Sequence, residues 1–252
     1  SLFLGLVDED GNLEHYDGPA RVIGSGGAVV NEGFAASEYP EFIGEINEHD
    51  SYLKSAYYKP FGYPDGIYRV GPLARLNIAK ACGTPRADRE LEDLRALSKG
   101  PALASFHYHQ ARIVEMLFCL ERIEQLLNEP GILDTHVRAQ AAVNAEEGIA
   151  MAEAPRGLLL HHYKVDRDGL VRWANLIIAT GHNNLAMNRG VLQTAERFVD
   201  GERLTEGALN RVEAVIRAFD PCLSCSTHAY GQMPLEVELR DVTGGLLDVR
   251  RR

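Results

Sequence analysis

No apolar run in the chain approaches the ~20 residues that a membrane-spanning helix needs, which excludes a helical membrane span. Cysteine is scarce: four in 252 residues rule out a disulfide scaffold and predict a reducing compartment. Basic residues are outnumbered, 26 Lys and Arg against 36 Asp and Glu. The resulting net charge of −10 is the opposite of the basic footprint that nucleic acid selects. The opening stretch Ser1 to Asp8 lacks the basic region of a signal peptide and reads as the interior of a domain. Internal repeats, low-complexity runs and a clear linker are all missing. The run Gly24-Ser25-Gly26-Gly27 has neither the Lys-Ser/Thr of a phosphate loop nor full dinucleotide-binding spacing, so it reads as a turn. What remains is an ordinary globular composition, 45% hydrophobic and 25% charged, long enough for one large domain or two small ones.

The expected fold class is α+β, predominantly helical, with β-hairpins at its periphery. Residues 1–31 predict two hairpins: Phe3–Val7 with Leu13–Tyr16, and Arg21–Ile23 with Ala28–Val30. Residues 32–70 read as an irregular, packed aromatic loop. Residues 71–200 read as helices interrupted by a hairpin near 158–178. The clearest helix spans 101–128, with Ile113, Met116, Leu117, Leu120, Ile123 and Leu127 on one apolar face. Residues 132–152 are polar and acidic and suggest a further helix. Residues 205–228 combine a helix, capped by Thr205, with a cysteine motif, and 229–252 form a last hairpin with a solvated arginine end. His107 and His109 read as ordinary helix residues, and His161 and His162 point to opposite faces of a strand. Cys82 reads as a structural thiol, and neither it nor Cys119 has a partner at ligand spacing.

The chemistry concentrates at Asp220-Pro221-Cys222-Leu223-Ser224-Cys225-Ser226-Thr227-His228. Thiolate is the metal-binding form of cysteine, and a Cys-x-x-Cys turn aims two sulfurs at one ion. Soft sulfur suits zinc, nickel, copper(I) or iron–sulfur centres. Cys222, Cys225 and His228 are the candidate ligands. Two other readings stand beside this one: a redox pair, and two buried small hydrophobes. A second feature is Glu153-Ala154-Pro155-Arg156-Gly157, in which Pro and Gly fix the backbone on both sides of an arginine.

The motif Asp-Pro-Cys-x-x-Cys-x-x-His resembles the C-terminal metal motif of the large subunit of nickel–iron hydrogenases. Its continuation, Ala229 to Leu235, and the stretch Tyr57 to Gly66 are similar to the cytoplasmic, NAD-linked branch. The resemblance runs along essentially the whole chain but covers only the C-terminal part of a large subunit. It implies a nickel–iron centre with carbonyl and cyanide on iron, held by four cysteines. Cys222 would be the terminal nickel ligand and proton acceptor, and Cys225 the bridging ligand. Arg156, after Pro155, would stand above the metal pair, oriented by Asp220, and Thr180 would donate to a cyanide. The family's Pro before that position is Ala179 here, as in the cytoplasmic branch. An endopeptidase would cut between His228 and Ala229, and the freed end would help bind magnesium. Partners implied are the iron–sulfur small subunit of the hydrogenase, together with flavin-containing diaphorase subunits that reduce NAD. The family's other cysteine pair has no counterpart in this chain, which predicts no hydrogenase activity from it alone. Two alternatives belong to other classes: a non-catalytic remnant or assembly module, and a structural zinc protein.

Overall fold

Strand β1 (Leu2–Leu6) is buried at every residue, as a strand covered on both faces must be. It pairs antiparallel with β2 (Ala20–Gly24), which pairs in turn with β3 (Val29–Phe34). The structure is a computed structural model that describes the whole chain except residues 50, 52, 139–143, 227–235 and 252. The β2–β3 hairpin turns at Gly24 to Gly27, as its glycines predict. The hairpin expected between Phe3–Val7 and Leu13–Tyr16 does not form. Only Val7 and Leu13 make an isolated bridge. Leu13 gives its N–H to the Ala81 carbonyl at 2.9 Å and packs into the helical core, so its backbone is committed elsewhere.

Residues 32–70 are more regular than expected. Helix α1 (Tyr39–Phe42) leads into a hairpin of β4 (Ile43–Asn47) and β5 (Lys54–Tyr58). Strand β6 (Tyr68–Arg69) then joins the first sheet, parallel to β1. The aromatic residues do pack as expected. The Phe34 and Phe42 rings stack at 4.6 Å, and the hydroxyl of buried Tyr39 bonds His162 Nδ1 at 2.9 Å.

The helices that follow are α2 (Pro72–Ile78), α3 (Pro85–Ala96) and α4 (His107–Leu127). Helix α4 corrects one expectation. Its long apolar stripe faces outward: Ile113 is 66% exposed, Met116 60% and Leu120 63%. The buried face is Tyr108, Ala111, Val114 and Glu115, where a small residue lets α4 sit close to the core that α3 lines with Ala87, Leu91 and Leu94.

Residues 147–154 form strand β7 (Glu147–Ala154), not the expected helix. Ile149 and Met151, two apart, pack on the β-sheet core, a strand period inside polar sequence. Strands β8 (Gly157–Val165) and β9 (Val171–Ile177) complete a meander, and His162 is buried while His161 is partly exposed. Helix α5 (Ala179–Phe198) starts directly after β9, and α6 (Glu206–Phe219) follows with the expected Thr205 cap accepting Ala208 N–H at 3.2 Å. The short α7 (Leu223–Ser226) and the hairpin β10 (Glu236–Arg240) and β11 (Leu246–Arg251) end the chain. Arg250 and Arg251 belong to β11, and Arg251 pairs with Glu236 at 2.7 Å, so they are not a free tail.

Eleven strands stand beside seven helices among the described residues, so the fold is mixed α/β rather than predominantly helical. Sheet structure is not peripheral either: β1 lies at the centre of a buried cluster. Among the described residues no helix is long and apolar enough to cross a membrane.

Candidate metal centre

Helix α6 delivers the cysteine motif to a fixed place. Its buried Leu209, Val215, Ala218 and Phe219 anchor it, and the Phe219 ring lies 4.9 Å from that of Tyr108 on α4. The helix stops at Asp220, whose φ of +52° is left-handed, a conformation that Asp tolerates better than most residues. Pro221 then forbids continuation. The Cys222 N–H donates to Thr180 Oγ1 at 2.9 Å. Its carbonyl accepts the N–H groups of Cys225 and Ser226, both at 3.2 Å, which closes α7 into one tight turn. Both cysteines are free, and the Cys222 sulfur is 3.4 Å from Ser224 Oγ.

The second arm is the two-residue turn Pro155-Arg156 between β7 and β8. Arg156 Nε donates to the Asp220 carbonyl at 2.7 Å and Nη2 to Asp220 Oδ1 at 3.3 Å. Arg112 of α4 approaches Asp220 Oδ2 at 3.8 Å and donates to the Ala218 carbonyl at 3.2 Å. Asp220 therefore lies between two guanidinium groups. Sequence reasoning missed Arg112, because nothing local distinguishes one arginine on a long helix.

Thr180 opens α5, and that helix is anchored by neighbouring side chains. Buried His182 bonds the Tyr68 hydroxyl, and burial pushes its pKa down to about 3, so it stays neutral. Asn183 works like a strand partner to Val70: Oδ1 accepts its N–H at 2.9 Å and Nδ2 donates to its carbonyl at 3.3 Å. Val70 leads to Gly71, which lies against the arginine turn. A Cβ on Gly71 would meet the Arg156 carbonyl oxygen at 2.6 Å, and a Cβ on Gly157 would meet Val70 Cγ2 at 2.3 Å. Gly71 also has φ +89° and ψ −166°, a region open only to glycine. Gly71→Ala is accordingly expected to destabilise the fold by about 1–3 kcal/mol, read as a lower midpoint in denaturant. A midpoint unchanged from wild type would refute the close approach.

The thiol pair is electrostatically uneven. Cys222 is held below its ordinary value, first by a hydrogen bond with Cys225, then by Ser224, with Arg156 adding positive potential. The same bond pushes Cys225 up. The other two cysteines differ in kind. Burial pushes the Cys82 thiol up to about 12, and Cys119 is an exposed thiol on α4, also raised by partial burial.

The structure thus brings together Arg156, Pro155, Asp220, Cys222, Cys225 and Thr180. His228 and Ala229 lie outside the described residues. Among the described residues no three His, Cys, Asp or Glu side chains converge on a metal position. Two adjacent free thiols, one already favouring the thiolate, fit one half of a four-thiolate donor set for a soft metal.

A paired-thiol turn beside a fixed arginine, on this α/β frame, defines a metal–thiolate protein. The nickel-dependent hydrogenase family model matches residues 14–228, and the chain belongs to that family. It is 41% identical over 256 residues to the beta subunit of the NAD-reducing hydrogenase HoxS of Cupriavidus necator, covering 100% of this chain and 52% of that protein. With an F420-non-reducing hydrogenase (vhc) of Methanococcus voltae it shares 39% identity over 251 residues, covering 98% and 52%. The crystal structure of an NAD+-reducing NiFe-hydrogenase in the H2-reduced state superposes with a TM-score of 0.85 at 41% identity, over 90% of this chain and 51% of that one. The Ni-Fe-Se hydrogenase from D. vulgaris Hildenborough shares the fold, with a TM-score of 0.57 at 23% identity over 90% and 52%. The chain spans about half the length of the curated relatives it matches.

Proposed function

We propose that the chain supplies the C-terminal half of the catalytic subunit of a cytoplasmic, NAD-linked nickel–iron hydrogenase. The reaction is the reversible conversion of H2 into two protons and two electrons. The observation that carries this reading is the convergence of Arg156, Asp220 and Thr180 on the Cys222–Cys225 turn. A nickel–iron centre, when bound, supplies a soft electrophilic site that polarises H2, with carbonyl and cyanide on its iron.

The chain's own residues then have distinct tasks. Cys222 and Cys225 would hold the metal through sulfur, Cys222 terminally and Cys225 as the bridge. Cys222 Sγ takes the proton, for which a sulfur already favouring its thiolate form is suited. Arg156 supplies a planar, permanently charged donor set beside the sulfurs. Asp220 orients it through two acceptors, and Arg112 braces Asp220 from the other side. Thr180 Oγ1 accepts the Cys222 N–H, and its hydroxyl hydrogen stays available to donate to a cyanide.

Electrons would leave through the iron–sulfur small subunit, then through a flavin-containing diaphorase to NAD. Residues after His228 would be cut off by a maturation endopeptidase, with magnesium bound near the new end. The remaining two thiolates come from outside this chain. The exposed apolar stripe of α4 then has an occupant, the rest of the large subunit.

Elemental analysis by plasma mass spectrometry tests the reading, on the complex purified from its native host and on the chain by itself. Nickel and iron are expected in near-equal, stoichiometric amounts in the complex, with hydrogen uptake there alone. Zinc alone or no metal in the complex would sink the hydrogenase reading. Hydrogen uptake by the isolated chain would sink the division of the site into halves.

A further inference from the structure

Arg75 sits on α2 with its side chain 1% exposed, and the functional reading above gives it no task. A guanidinium carries five N–H donors, and here all five are used. Nε and Nη2 donate to the two oxygens of Glu115, each at 2.6 Å. Nη1 donates to Glu153 Oε2 at 2.6 Å and to the Ala154 carbonyl at 3.0 Å. The last bond runs from Nη2 to the Pro155 carbonyl at 3.3 Å. Glu153 is fixed in turn: Oε1 accepts the Leu6 N–H at 3.1 Å, and its own N–H donates to the His15 carbonyl at 2.7 Å.

One guanidinium therefore ties two buried carboxylates to the two carbonyls that immediately precede Arg156. The start of the same helix touches the carbonyl of Arg156 itself, through Gly71. We infer that Arg75 is the positioning residue for Arg156: through Glu153, Ala154 and Pro155 it aims the Arg156 guanidinium at Asp220 and the cysteine turn. The inference rests on the role given to Arg156 above.

Two arguments favour aim over mere stability. A buried ion cluster of this kind is often no more stabilising than apolar residues of the same volume, so stability alone does not account for it. The hydrogen-bond pattern also demands a planar fork. Lysine has three donors from a single point and could not hold a carboxylate bidentately while bonding successive carbonyls. Small errors of aim have large consequences: a displacement of about 1 Å can cost about 100-fold in rate.

The test uses the complete hydrogenase carrying three variants: Arg75→Lys, the apolar triple Arg75→Met/Glu115→Leu/Glu153→Leu, and Arg156→Lys as reference. Each is assayed for nickel and iron content, for kcat and KM with H2, and for the infrared bands of the iron-bound carbonyl and cyanide. Arg75→Lys and the triple are expected to keep their metals and their KM. Their kcat should fall about 10- to 100-fold, and their infrared bands should shift in the same sense as those of Arg156→Lys. A folded, metal-loaded triple with wild-type kcat and unshifted bands would overturn the inference. So would loss of fold or metal in both Arg75 variants, since that assigns the cluster to stability. If Arg156→Lys itself leaves kcat and bands unchanged, the role of Arg156 fails first, whatever the Arg75 variants do.

Discussion

Cys222→Ser is expected to strip nickel from the complete enzyme and abolish its hydrogen uptake. The substitution removes a single soft donor and leaves the backbone alone. Cys222 N–H would still bond Thr180 Oγ1, and the carbonyl would still close the α7 turn. What changes is the ligand. A thiol at this position already leans toward the thiolate, whereas a serine hydroxyl does not ionise near neutral pH and offers a hard oxygen to a soft metal. Loss of a residue that merely supports a metal ligand costs 10–100-fold in affinity or activity, so loss of the ligand itself should exceed about 100-fold. Cys119→Ser is the matched control. That thiol is exposed on α4, and its replacement should leave metal content and uptake at wild-type levels. Plasma mass spectrometry and a hydrogen-uptake assay on the same samples decide the matter. A Cys222→Ser enzyme with full nickel and normal turnover would refute the assignment.

Hairpins with local turn chemistry are legible in the sequence. Gly24 to Gly27, Asp166 to Gly169 and Thr243 to Gly245 each predict the turn that joins β2–β3, β8–β9 and β10–β11. Strand β7 is not, because its polar, alanine-rich sequence carries only Ile149 and Met151 as period-two signals. For β1 the strand is evident but its partner is not. Leu13–Tyr16 is the nearer candidate in sequence, yet the Leu13 N–H bonds Ala81, a partner that no local pattern announces. Helix α4 shows the limit of periodicity more sharply. Its apolar stripe is real, but a stripe states only that something apolar should cover it, not that the covering lies within the same chain.

The candidate site divides in the same way. Its ligands and its arginine are legible because each sits in a contiguous motif, Cys222 to Cys225 and Glu153 to Gly157. Their supports are not. Arg75 reaches Glu115 across 40 positions and Glu153 across 78, while Asn183 reaches Val70 across 113. Such pairings follow from the fold and leave no trace in residue spacing.

Arg156→Lys carries the other large expectation: a fall in kcat of about 10²–10³ with nickel and iron retained. Arg156 makes no metal bond in the proposed scheme, so the centre should assemble without it. The charge also survives the substitution. What is lost is the fork. The present guanidinium binds the Asp220 carbonyl through Nε at 2.7 Å and its carboxylate through Nη2 at 3.3 Å, which leaves its plane in one orientation. A lysine ammonium could satisfy one of these acceptors and would rotate freely about it. Removing one pre-aimed donor from an active site typically costs about 10²–10³ in kcat, which sets the size of the expected drop. Asp220→Asn should act more mildly. It keeps the backbone carbonyl that accepts Nε, but removes the negative charge that Arg156 and Arg112 share. Steady-state hydrogen oxidation with parallel metal analysis separates these outcomes. If Arg156→Lys stayed within about threefold of wild type, positive potential alone would suffice, and the bonds to Asp220 would have no part in the reaction. A drop of the expected size assigns the effect to geometry, because charge is the one property the two side chains share.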